Sequence, residues 1–256
     1  MQPITRAQVQ ELRTLHRRSG RRSENSFLVE GEKLVQEACG SGWDVTHLIC
    51  TEELLAHKPS LLLESGVPSE RQFSITPALL ERLSTLVKPP PVAAVVQKRR
   101  WDITDLANRF PLAWLVDISD PGNLGTMIRT AEWFGVGGIV LSERCVDPFN
   151  EKVIRAAMGS LFRVPITVSE DLLGDLEAFQ GFGYTVIAAD AHGSTSALES
   201  SPRVCLVMGS EAHGLPDEYL ELSDRTLAIP GVGAAESLNV SVSFGIGLYM
   251  LQQAGS

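Results

Sequence analysis

Ile229-Pro-Gly-Val-Gly-Ala-Ala-Glu-Ser-Leu-Asn-Val240 decides how this chain is read. The short apolar run Thr226–Ile229 predicts a strand, and it feeds a Gly-rich loop. The loop ends on Ser237, Leu238 and Asn239, and the apolar run behind it predicts a long helix over Leu238–Gln253. This order places free backbone N–H groups and two small polar side chains at a helix N-terminus, which suits a polar ligand held by backbone. The helix is apolar nearly all round (Val240, Val242, Phe244, Ile246, Leu248, Tyr249, Met250), so it needs cover on every side, inside the monomer or at a dimer seam. Asn239, Ser243 and Gly247 form a small-residue stripe at i, i+4 spacing, which predicts close approach of another helix there.

Upstream, the pattern alternates strands and helices. Strands are predicted at Leu112–Val116, Gly138–Ser142, Tyr184–Ala189 and Val204–Met208. Helices are predicted at Asn123–Phe134, Asn150–Met158, Asp171–Phe179 and Pro216–Leu222. Continuous apolar strands alternating with helices imply a parallel sheet covered on both faces. In such sheets ligands sit beyond the C-terminal strand ends. Two more loops follow strands. Asp117-Ile-Ser-Asp-Pro-Gly-Asn123 turns into a helix that carries Arg129 in its first two turns, with Thr126, Arg129 and Trp133 on one face. Gly209-Ser-Glu211-Ala-His213-Gly214 is a tight loop with an acid in it, and His213 reads as a loop histidine rather than a general base.

Residues 1–98 form a separate α/β series. A helix is expected over 5–19, strands at Phe27–Glu30, Val45–Cys50, Gln72–Ile75 and Val92–Gln97, and helices at Glu52–His57 and behind Thr76-Pro77. Residues 99–110 read as a linker and 111–256 as a second domain.

Composition narrows the classes. Hydrophobic residues make up 44% and charged residues 21%, as in ordinary globular chains. No run is long enough to span a bilayer and no signal-peptide pattern opens the chain, so a cytoplasmic protein is expected. Cys39, Cys50, Cys145 and Cys205 form no CxxC pair and read as buried thiols; no metal is expected. GxxxxGK[ST] and GxSxG are absent from the sequence, which argues against a P-loop and an α/β-hydrolase, and Gly231-Val-Gly233-Ala-Ala-Glu236 breaks the dinucleotide fingerprint at its last position. The net charge of −9 argues against nucleic acid until it is divided. Residues 1–110 carry 15 Lys and Arg against 13 Asp and Glu, whereas the remainder carries 7 against 18. Arg13, Arg17, Arg18, Arg21 and Arg22 fall in one window without an acid. By composition alone this is a solvated helix end.

Taken together, the three loops resemble the motifs of the SpoU/TrmH-type RNA 2′-O-ribose methyltransferases of the SPOUT class. Asp120-Pro-Gly-Asn123-Leu-Gly125 with Arg129-Thr-Ala is similar to the first motif, Gly209-Ser-Glu211 with Gly214-Leu215 to the second, and Ile229-Pro230 with Glu236–Val242 to the third. Phe27–Ala38 and Leu83–Val96 resemble the family's L30e-like substrate-binding domain. The resemblance implies an α/β fold with a deep trefoil knot in the C-terminal parallel-sheet domain. It implies S-adenosyl-L-methionine held by backbone at Gly209, Ile229 and Leu238, and a catalytic centre of Asn123, Arg129, Glu211, Ser237 and Asn239. It further implies a homodimer through the C-terminal domain and RNA as substrate, 23S ribosomal RNA ahead of tRNA, with a non-catalytic RNA-binding protein of the same fold as the alternative. The Arg13–Arg22 cluster and Lys98, Arg99 and Arg100 then become expected phosphate contacts.

The chemistry requires a ribose hydroxyl to lose its proton as it attacks. Guanidinium is effectively never deprotonated in proteins, so Arg129 is expected to position the hydroxyl and an adjacent phosphate. Arg129→Lys should lower turnover at saturating RNA by about 10- to 100-fold, the worth of one charged bidentate contact; near-normal turnover would rule out bidentate positioning.

Overall fold

The computed structural model describes residues 1–191, 193, 203–211, 213–234 and 237–254. Ala212, Ala235 and Glu236 lie outside the described residues. The chain divides into two compact units. One comprises Met1–Arg99 with Phe149–Arg155, the other Arg100–Pro148 with Ala156–Ser256.

In the first unit the elements run β1 (Gln2–Pro3), α1 (Arg6–Leu12), α2 (Arg18–Ser23), β2 (Ser26–Glu30), α3 (Glu32–Gly40), β3 (Val45–Cys50), α4 (Glu52–His57), α5 (Leu61–Glu64), β4 (Gln72–Ser74), α6 (Pro77–Leu83) and β5 (Val92–Gln97). The sheet order is β1-β4-β3-β5-β2; β4 is parallel to β1 and β3, and β5 is antiparallel to β2 and β3. Val9, Leu12, Leu15, Leu28, Ile49, Phe73, Leu80 and Leu83 bury against one another to form its core. The segment Phe149–Arg155 is far away in sequence but belongs here. Phe149 packs its ring 4.9 Å from Phe27, and the Lys98 ammonium lies 4.8 Å from the Phe149 ring centre. Glu151 pairs with His16 at 3.0 Å and accepts a hydrogen bond from Thr85.

The single helix expected over 5–19 is broken. After α1, a 3₁₀ turn spans Arg13–His16, and Arg17 is extended (φ −98°, ψ 143°) before α2 begins. The cause is a close return of the chain. A Cβ on Gly20 would stand 2.1 Å from the Thr14 carbonyl oxygen, so only glycine lets the backbones meet. The break strands the Leu15 and His16 carbonyls, and the Arg21 guanidinium donates to both at 2.9 Å. Arg21 is thus 3% exposed and structural, which corrects its expected place in an RNA-facing cluster. Arg13, Arg17, Arg18 and Arg22 are exposed.

The second unit runs β6 (Leu112–Leu115), α7 (Pro121–Trp133), β7 (Gly138–Ser142), α8 (Glu151–Ala157, most of it in the first unit), β8 (Ile166–Ser169), α9 (Leu172–Gly181), β9 (Thr185–Ala189), β10 (Val204–Met208), α10 (Asp217–Leu222), β11 (Arg225–Leu227) and α11 (Val240–Ala254). Its sheet has the order β11-β9-β10-β6-β7-β8 and every pairing is parallel. The parallel sheet and its five expected strands are therefore present, the last as Arg225–Leu227 in place of Thr226–Ile229; periodicity does not show β8, a four-residue edge strand. Trp114, Val116, Val140, Leu176, Phe179, Val186 and Val207 pack into the core around it. The linker is fastened to this unit, because the Tyr184 hydroxyl donates to the Arg109 carbonyl at 2.7 Å.

The C-terminal helix is only partly covered. Val240, Phe244, Gly247 and Leu248 are buried, while Val242 and Tyr249 are about half exposed. The small-residue stripe also works differently from expectation. A Cβ on Gly247 would touch Leu206 and Leu227 of the sheet, whereas Gly245, outside the stripe, is the residue that meets Thr130 of α7.

Arg21→Gln should lower the unfolding free energy by about 2 kcal/mol or more, the value of charged hydrogen bonds to buried carbonyls. The exposed triple change Arg17→Gln, Arg18→Gln, Arg22→Gln should cost no more than about 0.5 kcal/mol per site. Urea denaturation of both variants measures the contrast.

Candidate active site

Strand order fixes where a ligand can enter. From β6 the chain winds one way through β7 and β8, then crosses to place β9 and β10 on the other side. The order reverses between β6 and β10, and in open parallel sheets the crevice beyond the strand ends at such a reversal holds the ligand. A cleft of about 370 Å³ lies there, within the ~300–1,000 Å³ typical of small-ligand pockets. Asp117, Ile118, Ser119, Asp120 and Asn123 line it after β6. Ser210, Glu211, His213 and Pro216 line it after β10, and Val240 closes it from α11.

Each wall is built locally. At the end of β6, Asp117 takes a left-handed conformation (φ 57°), a region Asp tolerates better than most residues. Its N–H donates to Ser142 Oγ at 2.9 Å, Ser142 Oγ donates back to Oδ1 at 2.8 Å, and Arg144 reaches Oδ2 at 3.2 Å. Asp120 then caps α7, accepting from the Asn123 N–H at 2.8 Å, with Pro121 as the first helical residue. The β10 loop closes on itself. Ser210 and Gly214 exchange backbone hydrogen bonds at 3.1 and 2.9 Å, and Gly214 has φ 65°. Gly209 lies so close to Gly214 that a Cβ would be 2.1 Å from its carbonyl oxygen. These contacts tie the two ends of the loop together.

Three loops meet at one carboxylate. Glu211 Oε1 accepts from Asn123 Nδ2 at 2.9 Å, from Asn239 Nδ2 at 2.5 Å and from the Val240 N–H at 3.1 Å. Asn239 Nδ2 also donates to Asn123 Oδ1 at 3.0 Å. Asn239 Oδ1 accepts from the Ser241 N–H at 3.0 Å and so caps α11. A carboxylate at this helix N-terminus is favoured by the helix dipole as well.

Of the five residues expected at the centre, the structure joins Asn123, Glu211 and Asn239. Arg129 is exposed on α7 and Ser237 is exposed ahead of α11; among the described residues neither is hydrogen-bonded to that network. Gly209, Ile229 and Leu238 are not among the residues lining the cleft. Leu238 and Val232 lie exposed on the third loop. Lys98 is half-buried against Phe149, and Arg99 and Arg100 are exposed. Sequence reasoning missed Asp117 and Ser119, which nothing but their place after a strand marks out, and discounted His213. Cys50, Cys145 and Cys205 are buried; burial pushes the Cys50 thiol up to about 12, leaving it an inert core group. Among the described residues, no group of three or more His, Cys, Asp or Glu could hold a metal.

Residues 112–249 match the SpoU rRNA Methylase family and residues 6–94 match an MRM3-like substrate binding domain. The chain belongs to the SpoU rRNA methylase family. It is 32% identical to 23S rRNA (guanosine(2553)-2'-O)-methyltransferase RlmP of Bacillus subtilis, over 95% of each chain. It is 30% identical to the 23S rRNA (uridine(2479)-2'-O)-methyltransferase of Streptomyces viridochromogenes, over 89% of this chain and 82% of the other. Among solved structures, the AdoMet-bound rRNA methyltransferase from Sinorhizobium meliloti superposes with a TM-score of 0.84 at 29% identity, covering 99% and 97% of the two chains. The AdoMet complex of the SpoU methyltransferase AviRb from Streptomyces viridochromogenes gives 0.85 at 28%, covering 97% and 98%.

Asn239→Ala removes the cap of a 15-residue helix and one donor to Glu211. The protein should lose about 1–2 kcal/mol, and amide exchange at Val240–Ser243 should quicken. Asn239→Asp keeps the cap but sets a second carboxylate against Glu211, so its stability should fall as well; unchanged exchange in both variants would disprove the cross-link.

Proposed function

We propose that this protein transfers a methyl group from S-adenosylmethionine to a ribose 2′-hydroxyl of 23S ribosomal RNA. The observation that carries the reading is the junction of Asn123, Glu211 and Asn239, one residue from each of the three family motifs, at the switch point of the sheet. Family membership and the activities of the relatives support it.

The residues fit the cofactor. Its sulfonium and ammonium are cationic, and Glu211 brings a carboxylate to the loop after β10, two residues beyond Gly209. Its adenine is flat and apolar-faced, and Val232 and Leu238 offer exposed apolar side chains on the loop between β11 and α11. Backbone at Gly209, Ile229 and Leu238 would hold it. S-adenosylmethionine supplies an electrophilic methyl on sulfur. The chain supplies orientation: Glu211 fixes both asparagines, and Asn123 and Asn239 turn polar edges to the ribose. Arg129 positions the hydroxyl and a neighbouring phosphate, and Ser237 lines the same centre.

The reading includes a homodimer through the C-terminal domain, which gives exposed Trp133, Val242 and Tyr249 a partner and brings Arg129 to the second copy's site. It also includes the trefoil knot that the resemblance implies, domains at 1–98 and 111–256 joined by 99–110, with Phe149–Arg155 of the second span packed in the first unit, and action in the cytoplasm. No helix among the described residues is long and apolar enough to cross a membrane. Arg13, Arg17, Arg18, Arg22, Lys98, Arg99 and Arg100 meet RNA phosphates.

Mapping 2′-O-methyl sites in 23S rRNA with and without the gene should show one site lost with it; an unchanged map refutes the reading. The Arg17→Gln, Arg18→Gln, Arg22→Gln variant should bind RNA more weakly and reduce the slope of log K against log [salt] by up to about 2–3. An unchanged slope removes these arginines from the interface.

A further inference from the structure

The pinned loop after β10 delivers two side chains to the cleft, Glu211 and His213, and uses them differently. Glu211 is committed to the cross-link described above. His213 has its backbone N–H fixed by Ser210 Oγ at 3.2 Å, yet among the described residues its imidazole makes no hydrogen bond, ion pair or ring contact. It is the only aromatic ring, and the only basic side chain, among the residues that line the cleft. The loop thus places a flat ring, without a partner among the described residues, over a cavity whose size suits a nucleoside.

What enters is decided by charge. Asp117, Asp120 and Glu211 line the same cavity, so a phosphate is repelled from it. An uncharged base is not repelled, and Val116, Ile118, Pro216 and Val240 give it apolar surface. Single-stranded RNA bases are commonly held by stacking on aromatic side chains, His among them, and enzymes that act on one nucleotide draw it out of the helix into such a pocket. We propose that His213 is the stacking platform for the base of the acceptor nucleotide, holding the nucleoside so that its ribose faces Asn123 and Asn239. The proposal rests on the methyltransferase reading and adds to it a residue that contacts substrate through its ring.

The test uses the full chain with S-adenosylmethionine and a full-length 23S rRNA transcript. His213→Ala should raise KM for the transcript roughly tenfold or more, as loss of one base stack does, with kcat within about twofold. His213→Phe should bring KM back to within about twofold of the parent, and His213→Gln should behave like His213→Ala. Rescue by Gln and not by Phe, or an unchanged KM in His213→Ala, would overturn the proposal. A second readout needs no turnover. With uridine or guanosine added, the His213 ring protons, assigned by their loss in His213→Ala, should move upfield, while ribose 5-phosphate should leave them in place. Equal shifts with ribose 5-phosphate would also overturn it. If the parent methylates no rRNA, the activity assignment fails, and the nucleoside titration still decides the stacking.

Discussion

One oxygen atom organises the catalytic half of this protein. Glu211 Oε1 collects two side-chain amides and one helix N–H from segments separated by 88 and 28 residues. A carboxylate oxygen surrounded by donors is well satisfied, and one placed at a helix N-terminus gains further from the peptide dipoles. Each of the three loops beyond the sheet has restraints of its own, and this oxygen adds the bonds that tie them to one another. Joined here, each restricts the others, and the polar edges that face the cleft are set before any substrate arrives. Pre-setting of this kind is what catalysis by orientation requires.

That oxygen can play its part because the surroundings are stiff for independent reasons. The loop after β10 is closed by its own backbone, with Gly209 against Gly214. The loop after β6 is held by Asp117 on Ser142 and by Asp120 on the first turn of α7. The third loop is anchored where Asn239 caps α11. Charge is divided between the halves in a compatible way. Three acidic side chains of the second unit, Asp117, Asp120 and Glu211, line the cleft, whereas four exposed arginines of the first stand around the broken helix at Arg13–Arg22.

Much of this was legible in the residues. Strands buried on both faces write themselves as unbroken apolar runs, so β6, β7, β9 and β10 and the parallel sheet could be read directly. The three loops were legible because glycine, proline and asparagine must stand at particular turns. The break after α1 was not, because it depends on Gly20 returning against the Thr14 carbonyl, a contact no periodicity encodes. The misreading of Arg21 follows from the same cause: a run of arginines looks solvated until one of them is needed to satisfy stranded carbonyls. His213 was discounted because a lone histidine in a loop carries no pattern. Its significance lies in being unengaged in a cavity whose other polar side chains are largely committed. The partial exposure of α11 was left open by its uniform apolarity, which says that cover is needed and not where it comes from.

The return of Phe149–Arg155 into the first unit bears on how such proteins can be divided. Two adjoining domains invite separation at the linker, and a fragment ending near residue 99 would contain every strand of the first sheet. It would lack the ring that fills the space beside Phe27 and Trp43, and the carboxylate that His16 and Thr85 hold. The complementary fragment would carry Phe149 and Glu151 with nothing to receive them. A cut at the linker therefore divides the first unit. Exchange of substrate-binding domains between relatives would therefore have to carry this short segment along, as a second, discontinuous part of the graft.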